Sequence, residues 1–375
     1  MKLKNITSLV KDQVTIALAM SKLDKFSHTR VLVLRTLNHV EDSPDEDAIQ
    51  AVLAIGRYSH VHVSQCICIL MDKLNRTHSW IVALKCLILI HRCLYEGGFM
   101  FQDQLTMYLA HGGRNYLNMS TFRGLESLFT WQVSSWIRWY ARFIEQWIQT
   151  LVIVGDCLEA KIGLNMLGDG TNNCGFHHYK LKLMINEQLI SEIFSLYELV
   201  EEFGLCGWES SEMKMILAHP LVKESIRLIG LVTLKAYQEL RLRFKEIRVR
   251  IKTLCQSQAI DLLKVCEKLY KDTLMFTSFL GMCEKNHIVL GVMEELEVFN
   301  DCELMNLSNE LKPGSGTHTV SMVSTKVGYF FNGFKCPPLS STQSMRYTKP
   351  NVVNNIRELR RRGSMSDFHY RETLI

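Results

Sequence analysis

Proline is scarce in this chain. Six occur in 375 residues, at Pro44, Pro220, Pro313, Pro337, Pro338 and Pro350, so residues 45–219 and 221–312 contain none. A proline inside a helix removes a hydrogen bond and clashes with the preceding turn, at about 3 kcal/mol. Long proline-free tracts rich in Leu, Ile, Met, Glu and Lys therefore favour an all-α body of stacked helices. No alternating strand pattern competes with the helical spacing; "IRVRIK" (Ile247 to Lys252) alternates over a few residues only, inside a helical segment. Four of the six prolines fall after residue 312, where Ser, Thr, Asn and Gly become frequent. That shift marks a boundary between a folded body, 1–300, and a flexible, basic C-terminal tail, 301–375.

Other absences narrow the function. No run approaches the ~20 apolar residues that a spanning helix needs. Lys11 and Asp12 break the apolar run that an N-terminal signal peptide needs, which points to the cytosol. Twelve cysteines include no C-x-x-C pair; Cys66, Cys68, Cys86 and Cys93 sit in apolar helical patterns and read as reduced, buried small hydrophobes. His177 and His178 lack a second ligand pair and read as loop residues, so no metal site is expected. There is no phosphate-binding glycine loop, no G-x-S-x-G and no H-E-x-x-H. A non-enzymatic protein without a cofactor is the expectation. A net charge of +5 is too small to announce nucleic-acid binding.

What is present is helical punctuation. "SWIVALKCLILIHRCLYEGG" opens with Ser79 as N-cap, is apolar nearly all round, and stops at Gly97-Gly98; such a helix is buried. "SLFTWQVSSWIRWYARFIEQWIQTLVIVG" stops at Gly155 in the same way. Three further helical segments start near Leu181, Pro220 and Ala259.

Charge is unevenly placed. Residues 1–39 carry seven Lys or Arg against two acids, and then Glu41, Asp42, Asp45, Glu46 and Asp47 crowd into seven positions. "ELRLRFKEIRVRIK" gathers Arg241, Arg243, Lys245, Arg248, Arg250 and Lys252. It reads first as a solvated helix face, and second as a contact for an acidic partner. In "RELRRRGSMSDF", Arg357, Arg360, Arg361 and Arg362 precede Ser364, a pattern that basic-directed kinases accept. A phosphate there would place about −2 charge beside four arginines.

Four segments in order, "VKDQVTIALA", "LRTLNHVEDSP", "SWIVALKCLILIHRCLYEGG" and "SSWIRWYARFIEQ", resemble the ANTH domain of clathrin-assembly proteins, the short plant members above all. The resemblance runs from about residue 1 to about 285. It implies a right-handed α-superhelix, an ENTH/ANTH-type solenoid whose ENTH-like part covers about 1–150. It also implies an endocytic adaptor that links phosphoinositide-containing membrane to the clathrin coat. The partners implied are clathrin heavy chain, phosphatidylinositol 4,5-bisphosphate membranes, an adaptor complex and vesicle SNAREs, with no nucleic acid. The location implied is the cytoplasmic side of coated pits and coated vesicles, and the Golgi.

The family's headgroup site is a K-x-T-x-H helix end followed by a P-K-x-[KR]-H turn. Placed on this chain, its first basic residue falls on Arg35, its threonine on Leu37 and its histidine on His39. Pro44 keeps the proline, but the two basic positions of the turn become Asp45 and Asp47, and its histidine becomes Ala48. The resemblance therefore implies a weakened or lost headgroup site, left with Arg35, His39, Lys25, Arg30 and Lys11. An alternative follows: a cytosolic scaffold acting through protein partners such as SNARE helices. Leu3, Ile6, Leu9 and Val10 fall close to one face of an N-terminal helix, which either lies on a membrane or packs on the body. A clathrin box would read L-φ-x-φ-[DE]; Leu304, Met305 and Leu307 match it, with Ser308 where an acid belongs.

Overall fold

The computed structural model describes residues 2–21, 25–110, 117–124, 127–155, 158, 179–208, 210–290 and 301–312. The chain divides into two compact units, Met1–His318 and Thr319–Ile375, and every described residue belongs to the first. All regular structure among the described residues is helical. The helices are α1 (Lys2–Ser21), α2 (Ser27–Thr36), α3 (Glu46–Ile55), α4 (His60–Arg76), α5 (Trp80–Glu96) and α6 (Phe99–Ala110). Then follow α7 (Leu128–Val154), α8 (Asn186–Gly204), α9 (Ser211–Ile216), α10 (Pro220–Val249), α11 (Gln256–Lys285) and α12 (Asp301–Leu311).

Each helix packs on its near neighbours in sequence: α1 on α2, α2 on α3 and α4, α4 on α5 and α6, α5 on α7, and α7 on α8. In turn α8 packs on α10 and α11, and α11 on α12. This serial stacking is an all-α solenoid, as the sequence predicts. Two prolines of the body sit where prolines fit. Pro220 opens α10 with His219 as N-cap, where the missing N–H has no intrahelical partner to lose, and Pro44 precedes the N-cap of α3.

The centre is α5, in which every residue from Ile81 to Leu94 is buried. A helix so enclosed carries its polar side chains within the core. His91 lies among Trp147, Tyr140 and Tyr95, with ring centroids 4.7, 5.9 and 6.4 Å away. Arg92 is clamped by Glu46 of α3 (3.0 and 2.6 Å), Glu96 of its own helix (2.7 Å) and Glu224 of α10 (4.0 Å). Burial works against its charge, and the carboxylates of Glu46 and Glu96 outweigh burial, so its pKa is raised.

The tryptophan-rich α7 is tied on two sides. Trp136 Nε1 donates to Ser225 Oγ of α10 (3.0 Å), and Trp139 Nε1 donates to the Glu202 carbonyl of α8 (3.1 Å). Trp136, Trp139, Trp208, Phe203 and Phe279 continue the core toward α11.

The turns after α3 and α5 touch through two glycines. A Cβ at Gly56 would collide with the Gly97 carbonyl oxygen and the Phe101 ring; one at Gly97 would meet Phe101 and the Cys93 carbonyl. Both have negative φ, so close approach is the reason for glycine here. Gly56→Ala is expected to lower stability by about 1–3 kcal/mol, the usual result of overpacking. A shift of the urea midpoint at constant slope checks this.

"IRVRIK" falls within the helical segment that the sequence starts near Pro220: it is the end of α10 followed by a single 3₁₀ turn, Ile251–Thr253. Three expectations need correction. The segment from Leu181 breaks after residue 183, and α8 begins at Asn186. Not every cysteine is buried. Cys66, Cys86, Cys93, Cys266 and Cys283 are, with burial pushing the Cys66 and Cys86 thiols up to about 12, but Cys68 and Cys255 are exposed. The tail does not begin at 301, because α12 packs on α11, buries Leu307 and Leu311, and pairs Glu310 with Arg248 (2.6 Å). His177, His178 and Ser364 lie outside the described residues.

Candidate functional site

The turn between α2 and α3 is built from inward-directed polar contacts. His39 donates its backbone N–H to Asp12 Oδ2 of α1 (2.8 Å), and its Nδ1 lies 2.8 Å from Asp12 Oδ1. Asn38 Oδ1 accepts from the Val40 N–H (3.2 Å) and from Lys85 Nζ of α5 (2.6 Å). Lys85 is a buried lysine on the central helix. Burial pulls its pKa down to about 8, and Asp42 and Asp12 pull the other way. Glu41 and Asp42 act likewise on His219, whose pKa burial lowers.

The acids after Pro44 have local roles. Asp45 is the N-cap of α3, its carboxylate accepting from the Asp47 N–H (3.2 Å). A capping carboxylate satisfies an N–H left open by the helix start and complements its dipole. Glu46 forms the bidentate pair with Arg92, whose hydrogen bonds hold its carboxyl below the usual range against the opposing effect of burial. Ala48 is buried against the core.

The five residual cations differ in exposure and in partners. Lys11, Lys25 and Arg35 are exposed, Arg30 is half-buried, and His39 is half-buried and held by Asp12. Lys25 stacks 4.9 Å over the Phe26 ring. Leu37, at the position of the family's threonine, is buried. Exposed acids at 41, 42, 45, 46 and 47 share this end of the molecule, so the local field opposes a phosphate. Sequence reasoning missed Lys85 and the partner of Glu46; a single lysine inside an apolar helix was the available signal.

The N-terminal helix presents a different chemistry. Leu9, Val10, Val14 and Leu18 are exposed, while Ala19 is buried and Asp12 and Ile16 are half-buried against the body. The Leu3 and Ile6 side chains lie outside the described ones. In α12, Met305 is exposed but Leu307 is buried within a helix, so the clathrin-box remnant is not an extended, open peptide. The side chain of Leu304 is outside the described ones.

The basic run divides between surface and core: Lys245, Arg248 and Lys252 are exposed, Arg241 and Arg250 half-buried, and Arg243 buried. Arg243 is fully buried between Glu192 of α8 (2.7 Å) and Glu239 (2.6 Å). Arg250 pairs with Glu246 (2.6 Å), and Arg248 with Glu310.

The described residues form an all-α solenoid whose α2–α3 turn is acidic. The family model described as ANTH domain matches residues 28–289, and the chain belongs to that family. The chain is similar to the Arabidopsis thaliana protein named "Putative clathrin assembly protein At4g40080", with 30% identity over 63% of this chain and 62% of that one. It is 30% identical to "Putative clathrin assembly protein At4g25940" over 54% of this chain and 34% of the other, from the same organism. It is also 34% identical to "Putative clathrin assembly protein At4g02650", again of Arabidopsis thaliana, over 39% and 24%. The chain thus spans about a quarter to three fifths of these relatives in the matched regions. The matched family region excludes α1. No described helix is long and apolar enough to cross a membrane.

Proposed function

We propose that this protein is a non-enzymatic endocytic adaptor that works in clathrin coat assembly, with residues 1–312 as the membrane- and partner-binding body. The names of its relatives support the clathrin role. The observation that carries the membrane part is the exposed apolar face of α1, beside the exposed Lys11. An amphipathic helix of this kind lies in a bilayer interface, and nearby cations contribute about 1 kcal/mol each at an anionic surface. The headgroup turn contributes little, because its acids cap α3 and pair Arg92. Membrane contact is therefore weakly selective for phosphatidylinositol 4,5-bisphosphate. Clathrin heavy chain, adaptor complexes and vesicle SNAREs are the partners this role calls for, at coated pits, coated vesicles or Golgi membranes.

The test restores the turn. Asp45→Lys with Asp47→Lys changes local charge by +4 and is expected to raise affinity for bisphosphate-containing liposomes several-fold at low salt. The gain should fade at high salt, since exposed charges are screened beyond about 8–10 Å near physiological ionic strength. Loss of the Asp45 cap lowers stability by about 1 kcal/mol, which leaves the fold intact. Binding no better than the parent's would refute the placement of the headgroup turn.

A further inference from the structure

Far along the chain from α1, two segments meet at an edge of the solenoid. One leads into α8 and the other leaves α10. The Arg250 side chain joins them, donating to the carbonyl oxygens of Leu181 (3.0 Å), Lys182 (2.8 Å) and Met184 (2.5 Å). Asn186 Nδ2 donates to Thr253 Oγ1 (3.0 Å) and closes the second tie. Glu246 fixes the guanidinium from below.

The edge so assembled has an unusual surface. Val249 is 81% exposed, Leu183 67% and Ile185 65%. Among the described residues of these two segments, Lys180, Lys182 and Lys252 are exposed between and beside them, against one exposed acid, Glu187. The other charges here are already paired within the fold, Arg250 with Glu246 and Arg248 with Glu310. Aliphatic side chains held outward by an ion-paired frame, among unneutralised lysines, match the chemistry of a bilayer interface. Apolar groups enter the acyl boundary while ammonium groups remain among anionic headgroups. A protein partner with an apolar patch would match the three aliphatic residues but not the surplus lysine charge.

We propose that this edge is a second membrane contact, one that takes anionic bilayer lipid independently of α1. Where both contacts engage one bilayer together, the second binding event becomes intramolecular and avidity rises without strengthening either.

Flotation of the full chain with phosphatidylcholine vesicles, with and without phosphatidylserine, tests the proposal. Three variants are compared with the parent: Leu183→Ser/Ile185→Ser/Val249→Ser, Lys180→Glu/Lys182→Glu/Lys252→Glu, and Val10→Ser/Val14→Ser/Leu18→Ser. All the altered side chains are exposed, so helicity and unfolding midpoint should match the parent's and are measured as controls. At about fivefold per lysine, the charge variant is expected to lose roughly a hundredfold in affinity for phosphatidylserine vesicles and much of its salt dependence. The serine variant of the edge is expected to lose about tenfold or more. Parent-like flotation of both edge variants overturns the inference, and is the result expected if an acidic protein is the true occupant. If in that case the α1 variant alone loses binding, the adaptor reading of α1 stands and only the second contact falls.

Discussion

Arg243→Ala should lower the unfolding free energy by about 3–5 kcal/mol, the usual result of breaking a buried ion pair from one side. Arg243 is fully buried, with Nε and Nη2 on Glu192 of α8 and Nη1 on the carboxylate and carbonyl of Glu239. Removing the guanidinium strands two carboxylates in the interface that joins α8 to α10. Whole domains are stable by only about 5–15 kcal/mol, so this single change puts the body near its limit. The companion variant separates burial from attraction. Replacing Arg243, Glu192 and Glu239 together by Met, Leu and Leu should recover most of the loss, since an apolar set of similar volume needs no desolvation. Chemical denaturation followed by circular dichroism checks both, and a single variant as stable as the parent would refute the buried triad.

A second large effect is expected with pH. His91 is enclosed by Trp147, Tyr140 and Tyr95, and burial, then Arg227 and Arg92, push its pKa down to about 3. In the unfolded chain it returns to about 6.5. Below pH 6.5 the unfolded state therefore binds a proton that the folded state refuses. The stabilising contribution is complete above that value and is lost progressively as pH falls toward 3. Between pH 7 and pH 4 the loss attributable to His91 is roughly 3 kcal/mol. Paired carboxylates such as Glu46 also destabilise the fold as they protonate, so the informative quantity is a difference. His91→Phe keeps a ring in the aromatic cluster and cannot titrate, and its stability should fall less steeply from pH 7 to pH 4 than the parent's. Parallel curves for the two proteins would show that His91 does not govern the acid limb.

The helices were legible in the sequence because their limits are local. Pro220 and Gly155 set the start of α10 and the end of α7 by backbone restriction alone, and the all-round apolar pattern of α5 required burial. Failures occurred where tertiary partners decide. Asp301–Leu311 resembles the tail in composition but finds an apolar seat against α11 for Leu307 and Leu311. At the turn, the sequence displayed five acids and could not say that Glu46 reaches Arg92, 46 positions away. Charge sign was readable there, and occupation was not.

The clamp on Arg92 has a consequence for how this turn can change. Glu46 lies between Asp45 and Asp47, and its pair with Arg92 makes it a member of the core's electrostatics. Glu46→Lys would set a cation against Arg92 and leave only Glu96 and the longer Glu224 contact to neutralise it. Asp47 can be exchanged freely, Asp45 with the loss of a helix cap, and Glu46 only after Arg92 has changed too. The order of substitutions is thereby constrained. A cationic turn is therefore open at 45 and 47 while α5 stays as it is, and closed at 46 until α5 changes.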